Sequence, residues 1–121
     1  MRYMLLVHHD EKSFAQRSEA ERTAMIEESV RLANELYAKG QYVGAAPLHP
    51  TKETKCVQVR EGRTAVTDGP FAETREQIGG YFLVDVENVE QAIAIATQIP
   101  GAQIGTVEIR PVTDVAGLPE E

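Results

Sequence analysis

The sequence predicts an α+β domain: a ferredoxin-like antiparallel sheet with two helices on one face and an inserted β-hairpin. The first observation is the order of the hydrophobic patterns, which runs β-α-β, then a hairpin, then β-α-β. The second is the length of 121 residues, which fits one domain. The third is that two strand-like runs are apolar on both faces. We therefore expect a single domain over residues 1–121.

The first β-α-β unit spans about the first 50 residues. "YMLLV" at Tyr3–Val7 has the length of a buried strand. Ser18 and Glu21 have capping-box spacing, with the Glu21 carboxylate expected to bond the Ser18 amide, and Gly40 follows the helix at the position where a positive φ is usual. "QYVGAAPL" predicts a weak second strand. The predicted buried stripe of the helix consists of Met25, Ile26, Ser29, Val30, Ala33, Leu36 and Tyr37.

The hairpin and the second β-α-β unit follow. "TKCVQVR" and "RTAVTD" flank Glu61-Gly62, a two-residue loop suited to a tight hairpin. "GGYFLVDV" predicts a strand that is apolar on both faces, and "TVEIRPV" predicts the last strand. Asn88 and Gln91 offer a cap for the second helix, and "IPG" ends it. The polar stretch 113–121 is expected to be a flexible tail. The buried stripe of this helix is predicted to be Val89, Ala92, Ile93, Ala96 and Ile99.

The two helices can cover only one face of this sheet. The first strand and the strand at residues 80–86 nevertheless carry apolar side chains on both faces. The same face of a second copy is the simplest cover for the exposed side. We therefore expect a twofold homodimer.

Composition and charge exclude several classes of partner. The net charge of −7 argues against nucleic acid and against an anionic membrane. Cys56 is the single cysteine, so no intrachain disulfide is possible, and we expect it to serve as a small hydrophobic residue in a strand. The apolar run at the start of the chain is too short for a signal peptide, so we expect a cytoplasmic location. No phosphate loop or zinc-ligand spacing is present, so the sequence predicts neither a cofactor nor a metal.

The segment "DGPFAETREQIGGYF" has more turn residues and charges than a plain connection between strands needs. We expect Pro70 to start a short helix that runs to about Gln77, with Phe71 facing inward. One interpretation is purely structural: Asp68 caps the turn, Phe71 plugs the core and the charges are solvated. The other is that the segment closes a cleft. Asp68 would then be the best candidate for an acid or base, and Glu73 the second.

The histidines suggest a second arrangement. His8 and Asp10 would share one face of the first strand if it continues that far, and His9 would point the other way. His49 follows the weak second strand. These residues could converge as an acid/base set or as metal ligands, but without a fixed spacing motif we favour partly exposed histidines at strand ends.

The segment at residues 68–82 resembles the signature of the DGPF proteins, a branch of the YCII-related family. Asp-Gly-Pro-Phe, then Glu, a basic residue, Glu, and a Gly before an aromatic all stand in this order. "RYMLLVHHDE", "VGAAPLHP" and "TVEIRPV" resemble the family as well, so the likeness covers nearly the whole chain. The matching residues of the signature are Asp68, Gly69, Pro70, Phe71, Glu73, Arg75, Glu76, Gly80 and Tyr81.

The resemblance implies a dimeric α/β barrel of ferredoxin-like subunits. It also implies that some relatives are enzymes, with a His on the first helix and an Asp proposed as catalytic. Ser29 stands at about that helical position here, and this helix has no His. Members of the branch are often encoded beside extracytoplasmic-function sigma factors, which implies a role in signalling or stress.

Two functions remain open from the sequence. The first is the binding of a small organic metabolite by a non-catalytic protein, and the missing helical His favours it. The second is a small enzyme that performs proton transfer on an organic acid or ring. Its predicted catalytic residues are Asp68 and His8. The predicted substrate-binding residues are Phe71, Glu73, Arg75, Tyr81 and His49.

Overall fold

A computed structural model describes residues 1–119 of the chain. Its order of elements confirms the predicted β-α-β, hairpin, β-α-β arrangement and adds two short helices and one turn of 3₁₀ helix at Thr51–Glu53. The elements are β1 (Arg2–His9), α1 (Glu11–Ala15), α2 (Glu19–Ala38), β2 (Tyr42–Pro47), β3 (Lys55–Arg60), β4 (Arg63–Asp68), β5 (Gln77–Asp85), α3 (Val89–Ala96), α4 (Gly101–Ile104) and β6 (Thr106–Pro111).

Four strands form the main sheet in the order β2-β5-β1-β6, and every neighbouring pair is antiparallel. Two interleaved β-α-β units produce this order, so the α+β fold is consistent with a ferredoxin-like domain. β3 and β4 form a separate two-stranded sheet. Its turn has positive φ at both Glu61 and Gly62, which is the geometry that a tight two-residue hairpin needs.

The predicted helix starts are confirmed. The Ser18 hydroxyl accepts a hydrogen bond from the Glu21 amide at 3.1 Å, and the Asn88 side chain accepts one from the Gln91 amide at 3.0 Å. The Glu21 carboxylate pairs with Arg17 at 3.5 Å instead of completing the box. These caps satisfy amides that have no partner inside the helix, so local sequence is enough to fix where the helices begin.

The core lies between the main sheet and the helices α2 and α3. Leu5 and Val84 are its most buried large side chains. The predicted stripe of α2 is only partly correct, because Leu32 and Leu36 are the buried positions and Ile26, Val30 and Tyr37 are 51%, 55% and 73% exposed. The stripe faces a cavity instead of packed side chains. The other members of the buried core are Tyr3, Val7, Phe82, Val86, Ala92, Ile95, Ala96 and Ile99.

The connection from Gly69 to Glu76 contains no helix, so the predicted short helix after Pro70 is wrong. The chain instead enters β5 at Gln77, which pairs with His9, and Ile78 pairs with His8. Residues 69–76 contain only bends and irregular backbone, and pairing with β1 takes up the last residue of the predicted helix, Gln77. β5 therefore begins at Gln77, two residues before the predicted strand "GGYFLVDV".

One face of the sheet carries no helix within residues 1–119. Met4, Leu6 and Leu83 alternate with buried neighbours and lie on this face. The hairpin also shows apolar side chains to solvent, with Val57 63% and Val66 60% exposed. No helix in the described part of the chain has both the length and the apolar character needed to cross a membrane.

The end of the chain has little regular structure. Residues 113–119 contain a turn at residues 116–117 and no helix or strand. The remainder of the predicted tail, residues 120–121, lies outside the described residues. The flexibility of the tail stays a prediction.

Candidate functional site

A cavity of about 430 Å³ lies between α2 and the main sheet. Val7, Gly80 and Phe82 contribute to its floor on the sheet side. Its helical wall is the stripe of α2 that the sequence predicted to be buried, including Met25, Ser29 and Ala33. Because the outer members of that stripe are exposed, the cavity opens to solvent along α2. The further lining that the argument uses is His9, Phe14, Asn34, Tyr37, Tyr42 and Gly79.

Short helix α1 closes one end of this cavity. The Asp10 side chain caps it by accepting from the amides of Lys12, at 3.0 Å, and Ser13. The Glu11 carboxylate accepts from the Thr51 amide and from its hydroxyl, both at 2.8 Å. These bonds tie α1 to the loop after β2. The helix thereby holds the Phe14 ring at the cavity wall.

His9 is the main polar group at this end of the cavity. Its ring lies against Phe14, with the ring centroids 4.8 Å apart. It also lies directly over Gly79, because a Cβ built on that glycine would come within 2.0 Å of the imidazole Cε1. Real Cβ atoms do not approach that closely, so the ring occupies this place only while residue 79 has no side chain.

Burial lowers the pKa of His9 below its usual value. The carboxylates of Glu11, Glu76 and Asp10 act in the opposite direction and do not offset the loss of solvent. The imidazole is therefore neutral at pH 7, with one donor and one acceptor nitrogen. No group within residues 1–119 makes a hydrogen bond to the ring, so neither nitrogen has a hydrogen-bond partner among the described residues.

Two other polar side chains of the wall, Ser29 and Asn34, donate hydrogen bonds to carbonyls of α2 itself. The Ser29 hydroxyl donates to the Met25 carbonyl at 3.0 Å, and the Asn34 amide donates to the Val30 carbonyl at 2.9 Å. Tyr37 and Tyr42 meet edge to face at the cavity rim. Ser29 stands where the family resemblance implied a His, so the helical wall carries a hydroxyl and no imidazole at that point.

The residues of the predicted cleft lie apart from this cavity. Asp68 is at the end of the hairpin, where its carboxylate pairs with Lys55 and is 80% exposed. Phe71 is 84% exposed, so in the single chain its ring does not cover the end of the sheet as predicted. Glu73 and Arg75 are exposed in the same connection. The prediction that these four residues act on a substrate stays a prediction.

Among the predicted site residues, Tyr81 is the one that borders the cavity. Because side chains alternate along a strand, Tyr81 lies on the face of β5 opposite to that of Gly80 and Phe82.

The alternative in which His8, Asp10 and His49 converge, which the sequence did not favour, is not observed. His8 pairs with Glu108 across β1 and β6 at 3.0 Å. His49 is 85% exposed and pairs with Glu53 at 3.1 Å. Asp10 caps α1, as described above. Within residues 1–119, no three His, Cys, Asp or Glu side chains are grouped so that they could hold a metal ion.

The sequence contains two signals for His9, although it was not among the predicted site residues. The alternation of the first strand predicts that His9 points away from His8, and that direction leads toward the helices and the cavity. The pair Gly79-Gly80 inside a strand is typical of a close approach by another group. The position of α2 relative to the sheet, which creates the cavity, has no comparable signal in the sequence.

Comparison with known proteins assigns the chain to a group without naming an activity. A family model described as YCII-related domain matches residues 1–116. An uncharacterized protein of Rhizobium meliloti (strain 1021) is 30% identical over 113 residues, which cover 92% of this chain and 91% of that protein. The family model spans β1 to β6 and therefore includes every element that lines the cavity.

Proposed function

This chain belongs to the YCII-related domain family, and we propose that it binds a small organic molecule in the cavity between α2 and the sheet. The observation that carries the proposal is the combination of an open apolar cavity with one half-buried imidazole that has no partner among the described residues. Small-molecule sites in proteins have volumes of roughly 300–1,000 Å³ and a few convergent polar groups in an apolar wall. The present cavity falls within that range.

The exposed apolar residues of α2 support the proposal. Ile26 and Val30 form part of the cavity wall and are about half exposed in the single chain. A ligand between α2 and the sheet would cover such side chains and gain the free energy of their burial. His9 would supply the polar contact that orients the ligand.

Substitutions that fill the cavity with a larger side chain test the proposed binding of a small molecule. Ala33→Phe places a ring in the cavity, and Ala24→Phe places the same ring on the exposed side of α2. N-phenylnaphthylamine, an uncharged dye that fluoresces when it leaves water, is titrated into each protein. We expect binding to the native protein and to Ala24→Phe, and an affinity at least about tenfold lower for Ala33→Phe.

Ser29→Phe repeats the test one helical turn away, in case Ala33→Phe perturbs the fold. Circular dichroism confirms that each variant is folded before it is titrated. Equal dye binding by the native protein and by both folded cavity variants would contradict the proposal, as would the absence of binding to the native protein.

A proton-transfer enzyme is the second candidate, and His9 is the residue that favours it. A neutral imidazole in a partly dehydrated cavity can accept a proton from a bound molecule near pH 7. Asp68, the base suggested by the sequence, has no contact with the cavity in the single chain. Binding requires only that His9 donates or accepts a hydrogen bond, so it needs fewer catalytic groups in the cavity than proton transfer does.

We also propose that two copies of the chain pair through the sheet face that carries no helix. Met4, Leu6 and Leu83 lie on that face. Burial of about 500 Å² of apolar surface would contribute about 12 kcal/mol before the costs of association. This pairing would leave the cavity accessible, because the cavity lies on the opposite, helical side of the sheet. The signalling context implied by the family resemblance stays a prediction.

A further inference from the structure

Among residues 1–119, the cavity wall contains no side chain with a permanent positive charge. Among the described residues that line it, none is Lys, Arg, Asp or Glu. The His9 ring covers the backbone at Gly79, so this glycine does not present an open group of amides that could bind an anion. A carboxylate or sulfonate that entered would lose its water and find no cation to replace it.

The charges near His9 are negative. Asp10 and Glu11 follow it in the chain, and Glu76 precedes Gln77, the residue paired with His9 in the sheet. All three carboxylates raise the pKa of His9 against the effect of burial, so their negative potential reaches the ring. An anion beside His9 would meet that potential, whereas an uncharged molecule would not.

We propose that the cavity selects uncharged, mainly apolar ring compounds with one hydrogen-bonding group for His9, and rejects carboxylates, sulfonates and phosphates of the same size. This inference rests on the proposed binding function and names the class of ligand for that same cavity. It narrows the range suggested by the sequence, which included organic acids. Specificity here results from the cost of an unpaired buried charge and not from a dedicated contact.

A matched pair of dyes tests the selection. N-phenylnaphthylamine and anilinonaphthalene sulfonate share the same rings and the same amine, and they differ by one sulfonate group. Both are titrated into the native protein by fluorescence at low ionic strength. We expect the uncharged dye to bind at least about tenfold more tightly than the sulfonate.

The outcomes separate this inference from the function on which it rests. If neither dye binds, both the binding function and the inference fail. If the sulfonate binds as tightly as the uncharged dye, and Ala33→Phe weakens both, the cavity binds ligands but the inference about charge is wrong.

Removal of one carboxylate provides a second measurement. Glu76→Gln takes away a charge that acts on His9, while Glu73→Gln takes away an equal charge from the exposed part of the same connection. We expect Glu76→Gln to improve sulfonate binding more than Glu73→Gln does, with binding of the uncharged dye unchanged. Equal responses to the two substitutions would contradict a local effect of charge at His9.

Discussion

At the scale of single residues, the cavity depends on the fit between His9 and Gly79. The imidazole stands where a Cβ at residue 79 would otherwise be. Gly79 is also one of two consecutive glycines in β5, a strand in which glycine lowers stability unless it serves such an approach. The close approach of the His9 ring at the cavity therefore explains why residue 79 is glycine, and the preceding connection does not.

Gly79→Ala should destabilise the protein by about 1–3 kcal/mol, because the new methyl group collides with the His9 ring. Gly44→Ala is the matched control, since a Cβ there meets no atom within 4 Å. Urea denaturation measures both. The cost of Gly79→Ala should shrink in a His9→Ala background. A cost that is unchanged in that background would show that the collision is with another group.

His9 should also make stability depend on pH. Its pKa is lower in the folded state than the ordinary value of 6.5, so the unfolded chain binds its proton first as the pH falls. The contribution of His9 is therefore fully present above pH 6.5 and is lost as the pH falls through the lower, folded-state pKa.

Urea denaturation of the native protein and of His9→Gln at several values between pH 8 and pH 5 measures this dependence. The native protein should lose more stability on acidification than the variant, because only the native protein has the imidazole whose charged form is disfavoured by burial. A parallel loss in the two proteins would mean that burial of His9 does not disfavour its charged form.

At the scale of elements, α2 combines two tasks on different parts of its surface. Leu32 and Leu36 attach it to the core, whereas Ile26 and Val30 line an open cavity. The 3.6-residue period shows that these side chains lie toward the sheet side of the helix, but it does not show how far the sheet is from each turn. The part of α2 that contains Leu32 and Leu36 packs against the core, whereas the part that contains Ile26 and Val30 leaves a space between the helix and the sheet.

Leu36→Ala should therefore cost about 2–5 kcal/mol, the usual range for a buried leucine. Ile26→Ala, at a position that is 51% exposed, should cost no more than about 1 kcal/mol. The smaller change should still weaken binding of N-phenylnaphthylamine, because Ile26 is part of the cavity wall. Comparable destabilisation by both substitutions would indicate that the cavity is closed in solution.

At the scale of the whole molecule, the distribution of apolar surface is uneven. The helices shelter one side of the sheet, and the other side has apolar residues with no helix over them in the described part of the chain. Each copy carries a net charge of −7. Two copies therefore repel each other, and association through the apolar face should be stronger at higher salt.

Leu6→Glu should shift the protein from dimer to monomer in sedimentation velocity at micromolar concentration. A charge on the uncovered face would have to be buried in the proposed interface. Val89→Glu, on an exposed position at the start of α3, adds the same charge elsewhere and should leave the dimer intact. A monomeric native protein under these conditions would contradict the proposed pairing.

The features of the fold that the sequence predicted correctly depend on residues that are close together in the chain. The caps at Ser18 and Asn88, the turn at Glu61-Gly62 and the order of elements involve residues close together in the chain. Their hydrogen bonds and torsions depend on neighbours within a few positions, so sequence patterns report them directly. The helix expected after Pro70 is absent, and its expected last residue, Gln77, is paired instead with His9 in a distant strand, β1.

The candidate site was beyond what local patterns could determine. The sequence itself determined the order of the main elements, the direction of His9 away from His8 and the presence of two consecutive glycines at residues 79 and 80. Only the tertiary structure decided that α2 stands off the sheet near Ser29, that Phe14 and Gly79 enclose the imidazole, and that residues 68–76 of the signature segment lie outside the cavity. A cavity is the space left between elements that are distant in the chain, and hydrophobic periodicity carries information about the side of a helix but not about that distance.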